Sequence, residues 1–270
     1  MSLRVHDDVA RQYNSDDGII AAKNQAVLEG LKQRFGPRAA ALRVADLGVG
    51  DGAQLQMLTT LACPLAMTGL DVSPAMLRLA AQRVPLTAVL APAQDAAAHL
   101  PHGAFDLVLA HFVLAYVQPR DLLAQVRQLL APAGVLSLAT TVTEGGAPFY
   151  AALESTFRHS WNPLRRAIAW AADRALARSH MPADFQALEA ELQASGLRCL
   201  ARRTLRMPVR FDTPDEAYRF GIEEGWAVNI LAVPGVPLGA AKWLARYGLR
   251  QCSYPFEVTQ VIEILEVGAA

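Results

Sequence analysis

The stretch VADLGVGDGAQL, Val44 to Leu55, sets Gly48, Gly50 and Gly52 at alternate positions, with Asp46 ahead of them and Asp51 between the last two. Alternating glycines let a backbone turn through left-handed conformations and let another molecule lie against it. The two carboxylates select the charge of that molecule. A pyrophosphate would face like charge in a partly dry site, at a cost that grows as the local dielectric falls, whereas a ligand carrying ammonium or sulfonium charge would be attracted. Gly48, Gly50 and Ala53 also satisfy a G-x-G-x-x-A spacing, so the glycines alone leave a dinucleotide open.

Asp71 ends the run LAMTGLD about 20 residues after the glycines, where a carboxylate can take both hydroxyls of a ribose. That supports adenosine without choosing between the two ligand classes. Hydride chemistry finds no Tyr-x-x-x-Lys pair, and the three lysines, Lys23, Lys32 and Lys242, are expected outside the sheet core. His111 ends the run FDLVLAH and is the candidate general base, with a structural histidine bonded to a backbone carbonyl as the alternative. Phe112 and Tyr116, just beyond it, read as packing around a site. His99 and His102 have no third ligand nearby, and Cys63, Cys199 and Cys252 are odd in number and far apart, so neither a metal site nor a disulfide framework is expected.

The elements that must position these residues follow from hydrophobic period. Between 41 and 140 the short runs LRVADL, LAMTGLD, TAVLA, FDLVLAH and GVLSLATT alternate with helical patterns, as in a parallel sheet covered on both faces. Ser73 and Pro74 open one helix, with Met76, Leu77, Ala80 and Val84 on its apolar face. Leu122, Leu123, Val126, Leu129 and Leu130 line another, which APAG ends. Ahead of the sheet, Ile20, Val27, Leu31 and Phe35 recur at helical spacing.

After Thr140, an Ala- and Arg-rich helical stretch over 149–180 is broken at Asn162-Pro163, and a second helix is expected from Pro182 to Ser195. Two more strands are expected at 197–211 and 256–267. In the first, Leu205, Met207, Val209 and Phe211 fall on one face and Arg202, Arg206 and Arg210 on the other. The arginines form either a solvated face or a contact for an anionic acceptor.

With 270 residues, 53% hydrophobic composition and zero formal net charge, the chain can bury a large core and lacks the cationic surplus of a polyanion binder. Nucleic acid is not an expected partner. No apolar leader or membrane-spanning run is read in it, so a cytoplasmic protein with no membrane association is expected.

These pieces resemble the class I S-adenosylmethionine-dependent methyltransferases. VADLGVGDG is similar to the first motif of that family, GLDVSPAML to its acidic second motif, and FDLVLAHFVLAYV with QLLAPAGVLSL to its fourth strand and the helix and turn after it. Three motifs in order, over roughly 40–140, are more specific than one glycine turn. Outside that core, ATTVTEGGAPF, RMPVRFDTPDEAYRF and SYPFEVTQVIEILEV resemble, loosely, malonyl carrier-protein O-methyltransferases and small-molecule O-methyltransferases.

The resemblance implies an α/β fold with a doubly wound, mostly parallel seven-stranded sheet and added helical lid elements. It implies a single domain: a helical cover at 1–40, a cofactor-binding core at 41–140, lid and acceptor elements at 141–196 and 212–250, and the final strands. S-adenosyl-L-methionine would be held by Asp46, Gly48, Gly50, Gly52, Asp71, Val72, Asp95, Ala96 and His111. Asp95 stands one position further from Leu100-Pro101 than the family pattern places its adenine-binding acid. Tyr13 is similar to an N-terminal tyrosine that closes over the cofactor, and with His111 it is the candidate catalytic residue. The acceptor would be a small molecule or carrier-bound, methylated at oxygen. Trp161, Trp170, Trp226 and Trp243 are candidates for its apolar pocket, or hold the added helices together.

Overall fold

The computed structural model describes residues 18–146, 157–176, 180–224, 226 and 236–270. They form two compact units. The larger takes the described residues of Asn14–Val142, His180–Leu205 and Ile262–Ala270, and the smaller takes those of Thr143–Ser179 and Arg206–Val261.

The larger unit is built on five parallel strands: β1 (Leu42–Leu47), β2 (Leu65–Asp71), β3 (Thr87–Leu90), β4 (Phe105–His111) and β5 (Leu130–Thr141). With β6 (Leu197–Phe211) and β7 (Phe256–Ala269) they make a seven-stranded sheet in the order β3-β2-β1-β4-β5-β7-β6. β7 runs antiparallel to β5, with Leu136 opposite Val267 and Thr141 opposite Ile262. This is the doubly wound sheet the sequence predicts. Because the chain winds from β1 out to β3 and then returns to place β4 on the other side of β1, the winding reverses between β1 and β4. A crevice opens outside the carboxyl ends of strands at such a reversal.

Strand alternation assigns each residue to a face. Leu107 and Leu109 pack with Val44 beneath α1 (Gly18–Arg34), α2 (Ala53–Leu58) and α3 (Pro74–Arg83), through Val27, Leu31, Leu55, Leu58 and Ala80. Val108 and Ala110 pack on the other face with Leu122, Leu123 and Val126 of α4 (Pro119–Leu129). Period two along β1 and β4 therefore sends Asp46 and His111 toward the face that α1 covers.

Local chemistry sets the element ends. The Ser73 hydroxyl accepts the Met76 N–H, and Pro74 supplies a first helical position that needs no donor. Asp184 accepts the Ala187 N–H, so α6 of the described chain (Phe185–Ala194, after α5 at Pro163–Leu176) begins later than apolar spacing predicts. β5 starts at Leu130, ahead of the predicted GVLSLATT, because its pairing with β4 continues through an irregularity between Phe105 and Leu107.

In the smaller unit, the Asn162 carboxamide oxygen accepts the Leu164 N–H at 2.9 Å at the start of α5. α7 (Leu238–Leu249) brings Gly248 against Ile168, and Asn162 donates to the Tyr247 hydroxyl. Phe211 packs at 5.2 Å from Phe220 and 5.1 Å from Phe256. Among the described residues, no helix is long and apolar enough to cross a membrane.

Candidate functional site

The glycine turn leaves β1 and enters α2 through three left-handed glycines, with φ of 84° at Gly48, 56° at Gly50 and 80° at Gly52. Each is glycine for its own reason. A Cβ on Gly48 would meet Val113 at 2.8 Å and one on Gly52 would meet the Ala80 backbone at 2.9 Å, so these two allow close packing within the chain. A Cβ on Gly50 would meet nothing within 4 Å. Gly50 therefore presents bare, left-handed backbone to open space, the surface against which a ligand can lie.

Asp71 ties that turn to β2. One carboxylate oxygen accepts the Gly50 N–H at 3.0 Å and the other accepts the Ser73 N–H at 2.9 Å. The carboxylate is fixed at the carboxyl end of β2, beside partly buried Val72. Beyond β3, Asp95 is exposed on its turn, whereas the Ala96 side chain is wholly buried in the core, leaving only its backbone for a ligand. Asp46, the three glycines, Asp71, Val72 and His111 are thus gathered at the ends of adjacent strands β2, β1 and β4. Tyr13 lies outside the described residues.

Two charged groups at this end behave differently from the sequence reading. Asp51 does not face a ligand as a bare acid: its carboxylate pairs with Arg83 at 2.9 Å and accepts the Ala53 N–H. Lys23, expected outside the core, is only 3% exposed. Its ammonium lies 3.2 Å from His111 Nδ1, 3.4 Å from the Gln54 carboxamide oxygen and 5.4 Å over the Phe112 ring. Lys23 stands four residues before Val27 and eight before Leu31 on the buried stripe of α1. That spacing was the available signal: a lysine on an apolar stripe is buried with the stripe unless its stem reaches out.

Burial sets the electrostatics. Asp46, 3% exposed, is pushed up to about 7 by desolvation, against which the Lys23 charge works. Lys23 is pulled down to about 7 by the same desolvation, opposed by Asp46 and Asp51. His111 is held well below its usual value by desolvation and then by Lys23. Its ring is engaged at both ends, with Nε2 3.1 Å from the Ser137 hydroxyl. Phe112 follows in a left-handed conformation with φ of 59°, strain that a non-glycine residue carries only where its surroundings hold it.

The donor set fits an adenosylated, cationic ligand. It offers an open glycine backbone, a carboxylate, Asp71, with both oxygens oriented, and a buried acid, Asp46. Among the described residues, no group of three His, Cys, Asp or Glu side chains could hold a metal.

Residues 45–138 match the family model described as a methyltransferase domain. Over 103 residues the chain is 37% identical to a trans-aconitate 2-methyltransferase of Methylobacterium nodulans, covering 38% of this chain and 39% of that protein. The chain thus spans about two fifths of the length of that curated relative. Among solved structures, a cyclopropane synthase from Mycobacterium tuberculosis aligns over 98% of this chain and 95% of its own, at 14% identity and a TM-score of 0.57. The cyclase SpnF aligns over 94% and 83%, at 17% identity and a TM-score of 0.54. The two structural names show that this architecture is shared by proteins named for different reactions.

Proposed function

We propose that this chain, whose residues 45–138 form a methyltransferase domain on the class I, S-adenosylmethionine-dependent fold, transfers the donor's methyl group to oxygen of a small-molecule acceptor. The observation that carries the reading is the pairing of open Gly50 with Asp71, because a bare turn and an oriented carboxylate suit an adenosine ribose and the chain beyond it. Bound there, S-adenosylmethionine supplies an activated methyl group on a sulfonium.

The residues of this chain do the rest. Asp71 and the Gly50 turn bind the donor, Asp46 meets its positive end, and the buried surroundings exclude water so that alignment supplies most of the acceleration. An acceptor carboxylate needs no proton removed, whereas a hydroxyl does, and His111 is the residue we assign to take it. The relative's name, with trans-aconitate in it, supports a small anionic acceptor; a carrier-bound acyl group is the other acceptor consistent with apolar side chains in the added segments.

Calorimetry with S-adenosylmethionine and S-adenosylhomocysteine, followed by mass spectrometry of mixtures containing isotopically labelled donor and candidate acids, tests the proposal. Binding of both and labelled ester formation are expected. Tight binding of a nicotinamide dinucleotide without response to the methyl donor would overturn it.

A further inference from the structure

Lys23 stands within hydrogen-bond reach of the candidate base, 3.2 Å from His111 Nδ1. It reaches His111 from a different element, α1, and is enclosed by Asp46 on β1, Asp51 in the glycine turn, Gln54 on α2 and Phe112 after β4. Behind these acids stand Asp71 on β2, which adds negative charge near Asp46, and Arg83 on α3, which pairs with Asp51. The His111 ring bridges Lys23 and Ser137, the latter 1% exposed.

We propose that Lys23 is a positioning residue that decides, through its contact with Nδ1, whether His111 can accept a proton from the methyl acceptor. This rests on the methyltransferase reading above. A protonated Lys23 has donors and no lone pair, so it donates to Nδ1 and forces the ring hydrogen onto Nε2, which donates to the Ser137 hydroxyl. Neither ring nitrogen then has a lone pair for the acceptor. A neutral Lys23 can accept from Nδ1–H. The ring hydrogen moves to Nδ1, and Nε2 becomes an acceptor facing Ser137.

The donor favours the second state. It brings ammonium and sulfonium charge to an enclosure whose acids now serve Lys23, and like charges in a partly desolvated site disfavour a second cation. Lys23 in the free protein is already balanced near neutral pH, so a modest push suffices. Loading the donor thereby turns His111 from a blocked ring into a base. In the transfer to a hydroxyl, the acceptor oxygen forms a bond to the methyl carbon as the carbon–sulfur bond breaks. The electron pair of the broken bond stays on sulfur, which becomes a thioether. The acceptor's hydroxyl proton passes to the Ser137 oxygen as the Ser137 proton passes to Nε2, and the Nδ1 proton can pass to Lys23.

The test is nitrogen NMR of histidine-labelled protein, with the His111 signals assigned against a His111→Gln sample. Wild-type protein should change from the Nε2–H to the Nδ1–H tautomer as pH rises through about 7, and saturating S-adenosylmethionine should move that midpoint down by about one pH unit, a tenfold change in proton affinity. Lys23→Arg, which keeps its charge, should hold Nε2–H throughout and lower turnover of a hydroxyl acceptor at least tenfold. Lys23→Met should show no titrating change of tautomer.

An unchanging tautomer in wild-type protein across this range, or identical behaviour of wild type and Lys23→Arg, overturns the proposal. The wild-type titration needs no variant to fold. If calorimetry shows no donor binding, the methyltransferase reading fails, while the pH titration of the free protein still decides whether Lys23 controls His111.

Discussion

At the glycine turn Lys23, Asp46, Asp51 and Ser137 are each at most 5% exposed, whereas the ion pairs Arg158–Asp173, Arg210–Asp212 and Arg246–Asp215 of the smaller unit leave between 45% and 67% of each side chain in solvent. The same residue types therefore carry different consequences. Charges withdrawn from water shift each other's protonation and respond to a ligand; charges at the surface are screened and contribute about 0–1 kcal/mol per pair. Apolar groups show the same contrast. Leu42, Leu47, Leu107, Leu109, Leu122 and Leu123 of the larger unit are wholly enclosed, while Trp161 is 99% exposed and Trp170 and Trp243 about half exposed.

The sharpest way to break this contrast is at Asp71. Asp71→Ala removes the acceptor for two backbone N–H groups, and hydrogen bonds to a charged partner are worth about 1.5–3 kcal/mol each. Stability should fall by about 3 kcal/mol, and donor affinity by on the order of 100-fold beyond that. Calorimetry on the folded fraction separates the two; unchanged donor affinity would remove Asp71 from the site.

The glycines should divide next. Gly52→Ala meets the Ala80 backbone at 2.9 Å with φ of 80°, so overlap and left-handed strain together should cost about 3 kcal/mol of stability. Gly50→Ala has the strain without the overlap and should cost about 1 kcal/mol, yet it should weaken the donor more than Gly52→Ala does in folded protein. Equal stability losses, with equal donor affinities, would show that Gly50 serves only the turn.

The buried pair gives a smaller effect with a definite sign. Asp46 is raised from 3.8 to about 7, so the native state keeps a proton that the unfolded chain gives up, and the group's contribution to stability falls as pH rises between those values. Lys23 is lowered from 10.5 to about 7, so the native state lacks a proton that the unfolded chain holds, and its contribution rises with pH from about 7 upward. Together they make a minimum near neutrality. Asp46→Asn should flatten the acid side and Lys23→Met the alkaline side, by about 1 kcal/mol per pH unit in thermal or denaturant unfolding. A wild-type curve with no slope changed by either variant would show that the pair is already solvated.

How much of this was legible in the sequence depended on the range of the interaction. The seven strands, the Ser73 cap and the gathering of Gly50, Asp71 and His111 at strand ends follow from local period and from the winding rule. Lys23 was misplaced because residue type was weighed above its position on the Val27 and Leu31 stripe, and its partners Gln54 and His111 are 31 and 88 residues away. Asp51 was read as a ligand-facing acid because Arg83, which neutralises it, is 32 residues distant on another helix. The arginine row of β6 gave either a solvated face or an anion contact, and each member has an acid of its own: Glu263 for Arg202, Glu144 for Arg206 and Asp212 for Arg210. Such pairings are decided by tertiary structure and leave no mark on local spacing.

The smallest effect on stability belongs to Trp161, and for that reason it is the cleanest probe of acceptor recognition. A side chain that is 99% exposed has almost no buried area to lose, so Trp161→Ala should change stability by less than about 0.5 kcal/mol, the range of ordinary surface substitutions. Trp226 is different, because its ring stacks on Phe220 at 5.5 Å and an interplanar angle of 7°. Trp226→Ala should cost about 1 kcal/mol, the scale of an aromatic pair. If the added segments select the acceptor, Trp161→Ala should raise the acceptor's KM about tenfold, or about 1.4 kcal/mol of lost binding, with kcat and donor affinity unchanged. A KM that stays fixed in Trp161→Ala, with stability also unmoved, would show that this tryptophan serves neither the fold nor the acceptor.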